Sequence, residues 1–423
     1  MKIAFKNFGC KANSLEADAL FLEARRRGHE IVDENKSADA YVINSCTVTA
    51  HADRDARWEA TRYKRKNPLA RIGVIGCYAQ VGKEELLALP EIDYVVGTAN
   101  KFRILDLIEE SPDTRDQVEA PLGFLPKDFP GSRHARANVK IQDGCNFNCS
   151  FCIIPQARGR SRSLSIETIL KQIDQAEKEG FEEVGLTGIH IAHYGWDLGT
   201  DLMALLRAIF AKKTGPRIRV STLDPFEVPD ELIEWLGKEK RLCPHFHIAI
   251  QSGSDTVLQG MRRIYKASEF VEVTKKIEAQ YADTFIGVDV IVGFPGETRE
   301  EFSKTVQLLE QSFWTKLHVF PFSVRKGTRA ETLIEKVDGK EISLRAELLR
   351  RMSDERYEKF LRSQIGKSVE PILERPARKF PGAWLGHTEN YLPVIAHVEG
   401  QSKKKISARI VEITSGYALA NPD

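Results

Sequence analysis

The sequence predicts an α/β protein in three parts: a Rossmann- or flavodoxin-like parallel sheet, a partial (β/α)6 TIM-like barrel and a small C-terminal β-barrel. Three observations predict this architecture. Strands and helices alternate over about the first 110 residues, which indicates a parallel sheet. Six later strand candidates are separated by helical patterns, and short β-type runs follow a long charged helix. We place the three domains at residues 1–125, 133–365 and 366–423.

The composition is that of a globular protein without a membrane partner. Of 423 residues, 42% are hydrophobic, and 62 Lys and Arg balance 60 Asp and Glu. This balance argues against a protein that simply coats nucleic acid, although it leaves room for local basic patches. The chain has no signal-peptide core and no run of about 18 apolar residues. We therefore expect a cytoplasmic monomer.

The seven cysteines predict metal ligands rather than disulfides. Their number is odd and the chain is long, whereas disulfide frameworks belong mainly to short secreted chains with paired cysteines. We assign Cys243, which precedes a predicted barrel strand, a structural role. The other six cysteines form two sets.

The first set lies in the N-terminal part, where each cysteine follows a predicted strand. The strands are Lys2–Phe8, Ala40–Asn44 and Ile72–Gly76, and the cysteines are Cys10, Cys46 and Cys77. In a parallel sheet such strand ends share one edge, where open α/β folds bind ligands. A single free cysteine is commonly a buried structural residue. Three at equivalent strand ends instead predict a site where the thiols converge.

The second set, Cys145, Cys149 and Cys152, forms a C-x3-C-x2-C array directly after the first predicted barrel strand. The carboxyl ends of barrel strands are where active sites lie. Structural zinc prefers four ligands in paired C-x2-C units or with histidine, and this array has three cysteines and no neighbouring histidine. A 4Fe–4S cluster is ordinarily held by four thiolates, so three leave one iron open to a substrate. We therefore favour an iron–sulfur cluster here and a second one at the first set.

The triplet resembles the motif of the radical S-adenosylmethionine (SAM) superfamily, and the whole chain resembles its methylthiotransferase family. The matching segments are Gly-Cys10-Lys-Ala-Asn13, Asn44-Ser-Cys46-Thr-Val, Gly76-Cys77, the triplet, Ile154 to Arg162 and His318 to Ser323. Gly-Cys-Lys and Gly386 to Tyr391 most resemble the threonylcarbamoyladenosine tRNA methylthiotransferases, because the isopentenyladenosine branch typically begins Gly-Cys-Gln. Gln156-Ala157 departs from the family pattern at a place that concerns substrate contacts. The third part resembles TRAM, a small RNA-binding β-barrel.

The resemblance implies SAM and two 4Fe–4S clusters as cofactors. Cys145, Cys149 and Cys152 would hold the cluster that splits SAM, and Cys10, Cys46 and Cys77 the auxiliary cluster. The expected SAM contacts are Phe151, Gly188, Ser221, Gln251, Asp289 and Gly293. The implied reaction methylthiolates C2 of N6-threonylcarbamoyladenosine, 3′ of the anticodon in a tRNA anticodon loop, with two SAM used per product. The implied electron donor is a protein such as flavodoxin or ferredoxin.

Five arginines are candidate ligands of RNA phosphates, although single surface arginines are often merely solvated. They are Arg133, Arg136, Arg158, Arg160 and Arg162. The TRAM-like part, with eight Lys and Arg against six Asp and Glu over residues 367–423, weakly favours RNA.

The sequence leaves several alternatives open. The same chemistry on isopentenyladenosine in tRNA, or on an aspartate of a ribosomal protein, fits the cysteine pattern equally well. A radical SAM enzyme of unrelated chemistry would make Cys10, Cys46 and Cys77 structural. A non-catalytic RNA-binding module with a structural metal is a fourth possibility, and it would not cleave SAM.

Overall fold

A computed structural model describes residues 1–122, 124, 126, 128–129, 131–398, 404–414 and 416–423. Three packed parts follow one another along the chain, and the whole is a mixed α/β structure with parallel sheets. The predicted domain boundary at residue 125 lies outside the described residues.

The first part is a six-stranded parallel sheet with helices on its faces. Its strands are β1 (Lys2–Asn7), β2 (Glu30–Val32), β3 (Ala40–Ser45), β4 (Arg71–Gly76), β5 (Tyr94–Val96) and β6 (Asp116–Gln117). Its helices are α1 (Lys11–Arg26), α2 (Ala50–Lys66), α3 (Cys77–Val81), α4 (Lys83–Leu87) and α5 (Arg103–Glu110). The spatial order is β2-β1-β3-β4-β5-β6, and the central strand β3 is buried along its whole length, as expected when helices cover both faces. The short strands β2 and β6 were not predicted from the sequence.

The second part contains nine strands and eight α-helices. The strands are β7 (Ala137–Lys140), β8 (Gln142–Asp143), β9 (Arg162–Ser163), β10 (Glu183–Thr187), β11 (Arg217–Val220), β12 (Thr222–Leu223), β13 (His245–Gln251), β14 (Phe285–Val292) and β15 (Lys316–Pro321). The helices are α6 (Ile154–Arg158), α7 (Ile166–Lys178), α8 (Leu202–Ala211), α9 (Asp230–Glu234), α10 (Asp255–Gly260), α11 (Ala267–Gln280), α12 (Arg299–Gln311) and α13 (Gly339–Ser363).

These strands build a curled half-barrel. Strands β7, β10 and β11 form one parallel sheet and β12 to β15 another. Because β11 and β12 are separated in the chain only by Ser221, they are two halves of one strand that joins the sheets. The half-barrel therefore has six strand positions, as the sequence predicts, and aliphatic side chains fill the space between strands and outer helices. Strands β8 and β9 form a separate antiparallel ribbon.

The third part is a six-stranded sheet, antiparallel except for the parallel pair β19 and β21. Its strands are β16 (Ser368–Val369), β17 (Ile372–Pro376), β18 (Ala383–His387), β19 (Pro393–His397), β20 (Ala408–Thr414) and β21 (Tyr417–Pro422). The backbone N–H of Leu373 donates to Lys404 O (3.1 Å), which ties the edge strand β17 to the segment leading into β20. Strands β19 and β20 match β-type runs of the sequence, and the run predicted at Val369–Leu373 covers the end of β16 and the start of β17. Strands β18 and β21 were not predicted.

Polar contacts hold the third part against the half-barrel. Arg217 Nη1 donates to Glu370 O (2.7 Å), and Arg219 Nη2 donates to Thr388 O (3.2 Å). Both arginines lie on β11, so the third part covers the amino-terminal side of that strand. Among the described residues, none of the helices is long and apolar enough to cross a bilayer.

Candidate active site

The second cysteine set lies on the loop between β8 and α6, at the carboxyl end of the first half-barrel strand. The loop is fixed at its start, where Cys145 N donates to Gly159 O (3.0 Å). Gly144 has a φ of +74°, and a Cβ there would lie 2.1 Å from Arg160 O. Only glycine fits this backbone position, so a local requirement sets the direction in which the cysteine loop leaves the sheet.

The first set lies at one edge of the first sheet, as predicted. Cys10 precedes helix α1, Cys46 follows β3, and Cys77 begins α3 after β4. Gly9 brings two of these residues together: its φ is +107°, and a Cβ there would lie 2.7 Å from Cys46 Cβ. The backbone before Cys10 therefore passes directly beside Cys46.

Burial and repulsion between neighbouring thiolates raise the pKa of Cys46 in the first set and of Cys152 in the second. Burial, with contributions from Cys77 and Cys10, raises the pKa of Cys46 to about 11. Burial, with contributions from Cys149 and Cys145, raises the pKa of Cys152 to about 12. Such repulsion between thiolates means that the thiols of one set lie close together. A bound metal ion would supply the positive charge that lets them ionise. The donor chemistry of both sets therefore fits an iron cluster.

Both cysteine sets line one cavity of about 490 Å³, which we call the shared cavity. Cys10 lines it from the first set, and all of Cys145, Cys149 and Cys152 line it from the second. Cys46 and Cys77 are buried next to Cys10. The first and second parts of the chain thus meet at this cavity.

Five of the six residues expected to contact SAM also line the shared cavity. They are Phe151, Gly188, Ser221, Gln251 and Asp289. Gln251 has a φ of +62°, a strained conformation for a non-glycine residue of the kind that clusters at functional sites. Asp289 is held by His247, whose Nε2 lies 2.7 Å from Asp289 Oδ1.

For Gly293 the assignment to SAM stays a prediction. Gly293 is not among the residues that line the shared cavity. A Cβ on Gly293 would lie 2.3 Å from Ile342 Cγ1, so this residue packs against α13. Its φ of +81° and the bond from its N–H to Glu297 Oε2 (2.6 Å) make it a turn after β14.

An arginine that was not predicted from the sequence lies beside the second cysteine set. Arg263 Nη1 donates to Cys149 Sγ (3.2 Å), and its other terminal nitrogen forms an ion pair with Asp224. Arg263 follows α10 and is not at the end of a strand. No local signal marks such a residue, because the contact joins positions 114 residues apart.

A histidine also contacts this set and was not given a role from the sequence. His190 Nδ1 lies 3.8 Å from Cys145 Sγ, and Nε2 lies 2.7 Å from Glu227 Oε2. Burial opposes its charged form, but the hydrogen bonds to Cys145 and Glu227 raise the pKa of His190 to about 9. Glu227 therefore orients the ring and favours a positive charge beside Cys145.

The expectation that Arg158 binds an RNA phosphate is wrong, because its side chain is fully buried. Its side chain is 1% exposed. Nε donates to Cys77 Sγ (3.2 Å), Nη1 to Glu16 Oε1 (2.9 Å) and to Asp143 Oδ1 (3.1 Å), and Nη2 to Asn13 Oδ1 (2.6 Å). Arg158 thus joins the first sheet to the half-barrel behind the first cysteine set.

The other four candidate RNA ligands keep some exposure. Arg160 is exposed. Arg133 donates to Asp18 Oδ1 (2.6 Å), Arg136 pairs with Glu374 (2.9 Å), and Arg162 donates to the carbonyl oxygens of Arg158 and Arg160 (2.8 Å each).

Comparisons with known proteins agree with this arrangement. The Radical SAM superfamily profile matches residues 139–309, and that of the uncharacterized protein family UPF0004 matches residues 2–97. The chain is 36% identical to the threonylcarbamoyladenosine tRNA methylthiotransferase MtaB of Aquifex aeolicus, over 93% of this chain and 96% of that protein. It is also 36% identical to the protein of that name from Bacillus subtilis, over 93% and 90%. A tRNA-2-methylthio-N(6)-dimethylallyladenosine synthase of Methylacidiphilum infernorum is 30% identical, over 99% and 94%.

Among solved structures, the radical S-adenosylmethionine methyltransferase TsrM of Kitasatospora setae has a similar fold. The TM-score is 0.57 at 15% identity, over 76% of this chain and 74% of that chain. At this identity the likeness concerns the fold alone.

Proposed function

Since the chain belongs to the family of threonylcarbamoyladenosine tRNA methylthiotransferases, we propose that it attaches a methylthio group to C2 of N6-threonylcarbamoyladenosine in tRNA. The target is the adenosine 3′ of the anticodon, and two SAM are used per product. The observation that carries the proposal is the shared cavity, which is lined by Cys10 of the first cysteine set and by all three cysteines of the second.

In this proposal the cysteine sets hold two 4Fe–4S clusters. Cys145, Cys149 and Cys152 hold the one that binds SAM, and Cys10, Cys46 and Cys77 hold the auxiliary one. When bound, these groups supply an organic radical and a methylated sulfur, which together replace the hydrogen on C2. Such chemistry is needed because an aromatic C–H is not acidic enough for a general base.

The side chains of the cavity position the reactants. Phe151, Gly188, Ser221, Gln251 and Asp289 line the side next to the second cysteine set and are assigned to SAM. A Cβ on Gly188 would lie 2.8 Å from Gln142 O, so a glycine is needed at this position of the cavity lining. Enclosure keeps water from the reactive species and strengthens electrostatic contacts within the site.

The proposed domains are 1–125 for the auxiliary cluster, 133–365 for radical chemistry and 366–423 for RNA binding, the last as a TRAM-like barrel. Single-stranded loop bases are unstacked and therefore readable by proteins, unlike bases in A-form helices. Arg160 is exposed next to the second cysteine set and is the arginine best placed to contact phosphate. We further propose a cytoplasmic monomer that takes electrons from a flavodoxin or ferredoxin.

Isopentenyladenosine is the second candidate substrate, because relatives named tRNA-2-methylthio-N(6)-dimethylallyladenosine synthase are about as long as this chain and up to 33% identical to it. Mass spectrometry of tRNA nucleosides separates the two. The reconstituted protein is incubated anaerobically with SAM, a reductant and tRNA bearing either modification. We expect 2-methylthio-N6-threonylcarbamoyladenosine. Methylthiolation of the isopentenyl substrate alone would reassign the substrate, and SAM cleavage without any tRNA product would direct the search to ribosomal protein.

Iron counting tests the two-cluster arrangement independently of substrate. The triple alanine variant of Cys145, Cys149 and Cys152 is reconstituted and its iron compared with that of the unaltered protein. We expect about half of the iron to remain at Cys10, Cys46 and Cys77. Complete loss of cluster iron would contradict the second site.

A further inference from the structure

A second cavity, of about 500 Å³, adjoins the shared cavity and carries an excess of positive charge. Cys10, Lys11 and Ser221 line both spaces. We call this second space the basic cavity, because five basic side chains line it against two carboxylates. The basic residues are Lys11, Arg133, Arg136, Arg219 and Arg375, and the acidic ones are Glu183 and Glu374.

Both carboxylates of the basic cavity are already paired. Glu183 accepts from Arg217 Nε (2.6 Å) and Arg219 Nε (2.7 Å). Glu374 lies 2.9 Å from Arg136 Nη2 and 2.7 Å from His387 Nδ1. Both carboxylates are therefore engaged already, and neither forms a hydrogen bond or ion pair with Lys11.

Two arginine nitrogens in this cavity are buried without a hydrogen-bond acceptor in the described part of the chain. They are Nη1 of Arg219, a residue that is 3% exposed, and Nη1 of Arg136. The nearest carboxylate oxygen to Arg136 Nη1 is on Glu183 at 3.9 Å, too far for a hydrogen bond. Buried donors are nearly always satisfied in proteins, and an unsatisfied charged donor is costly.

Contacts with one aromatic ring hold these guanidinium groups in place. The guanidinium carbons of Arg136 and Arg219 lie 5.0 and 4.9 Å from the centroid of the Tyr391 ring. Cation–π contacts of this kind fix the direction of an arginine side chain. Lys11 approaches from α1, and it has no hydrogen bond or ion pair with any described residue. Lys11 and the unbonded Nη1 atoms of Arg136 and Arg219 thus border one space in which the described residues offer them no acceptor.

We infer that Lys11, Arg136 and Arg219 form a binding site for the α-carboxylate of the threonylcarbamoyl group, an inference that rests on the proposed function. The threonine of that group keeps its carboxylate, because it is joined to adenine through its amino nitrogen. A base with C2 in the shared cavity carries its N6 substituent several bonds away, so the substituent needs an adjoining space. The basic cavity adjoins the shared one at Lys11. An apolar isopentenyl group would leave Lys11 and the Nη1 atoms of Arg136 and Arg219 without an acceptor, so the site selects the acidic substrate.

A neutral analogue of the substrate tests this assignment. Anticodon stem-loop RNA is made with N6-threonylcarbamoyladenosine and with its threoninol counterpart, in which a CH2OH group replaces the carboxylate. Dissociation constants of both RNAs are measured by fluorescence anisotropy on the reconstituted protein and on its Lys11→Met variant. The unaltered protein is expected to prefer the acidic RNA by about 10- to 100-fold, the range of one or two charge-assisted hydrogen bonds. In Lys11→Met we expect most of that preference to be lost.

The ratio of the two dissociation constants is internal to each protein, so a partly unfolded sample does not change it. Lys11→Arg keeps the charge and is expected to restore part of the preference, and Lys213→Met, at an exposed lysine, is expected to leave it unchanged. An unaltered protein without preference, or a Lys11→Met variant that keeps it, would overturn the inference. The identity of the methylthiolated nucleoside is read separately on the unaltered protein, so failure of the proposed function is recognised on its own.

Discussion

Replacing Glu16 by glutamine is expected to destabilise the contact between the first sheet and the half-barrel strongly. Glu16 lies on α1 and is 2% exposed. Its Oε1 accepts from Lys140 Nζ (2.8 Å) and Arg158 Nη1 (2.9 Å), and its Oε2 pairs with Lys101. Burial opposes the carboxylate, but Arg158, Lys101 and Lys140 hold the pKa of Glu16 well below its usual range. Glutamine keeps the shape of the side chain and removes its charge.

The magnitude follows from the charges that remain. Glu16 pairs with three buried cations, Lys101, Lys140 and Arg158. In Glu16→Gln, the carboxylate of Asp143 is the one ion-pair partner left to them among the described residues. Removing one partner of a buried ion pair typically costs about 3–5 kcal/mol, because a charge is left without compensation. Each 1.4 kcal/mol is about a factor of ten, so the ratio of folded to unfolded protein is expected to fall by roughly 100-fold or more.

Urea denaturation of the cluster-free protein, followed by circular dichroism, measures this loss. Glu84→Gln is the matched control, because the Glu84 side chain is 88% exposed and its closest cation is 3.9 Å away. Adding Lys101→Met to Glu16→Gln removes one uncompensated cation and is expected to recover part of the stability. A loss below about 1 kcal/mol in Glu16→Gln, or a further loss in the double variant, would refute the reasoning.

Three further predictions concern the cysteine sites and β10. Cys46→Ala is expected to yield no methylthio product although 5′-deoxyadenosine still forms, and product from this variant would contradict the two-cluster scheme. Gly9 has a φ of +107°, and the added Cβ of Gly9→Ala would lie 2.7 Å from Cys46 Cβ, so this variant is expected to lose the iron of the auxiliary cluster. The control Gly28→Ala, at a φ of +83° with open space around it, is expected to keep that iron. Equal iron contents in the two variants would argue against this packing. Burial opposes the Glu183 carboxylate, but Arg219 and Arg217 lower its pKa from 4.5 to about 2. The ionised Glu183 therefore stabilises the folded state by about 3 kcal/mol above pH 4.5, and this contribution is lost as the pH falls through 2. The free energy of unfolding is expected to fall less steeply over this pH range in Glu183→Gln than in the unaltered protein.

The main strands and the placement of the cysteines could be predicted from the sequence because both follow from local rules. Alternating apolar runs identified the main strands of the first sheet and the six strand positions of the half-barrel. Parallel strands end at one edge, so Cys10, Cys46 and Cys77 were expected together without knowledge of any contact. The short strands β2 and β6 were not predicted, because strands of two or three residues are too short to show the alternation of apolar and polar residues.

The sequence by itself therefore determined the α/β architecture, the two sets of thiols and the strand ends that line the shared cavity. Only the tertiary structure decided which charged residues face that cavity, which pair with one another and which remain unpaired. Arg158 looks like a surface arginine in sequence, yet its partner Glu16 lies 142 residues away and buries it. Local periodicity predicts burial of apolar residues. It carries no information on which distant carboxylate will compensate a given cation, because that choice depends on how the first sheet docks against the half-barrel.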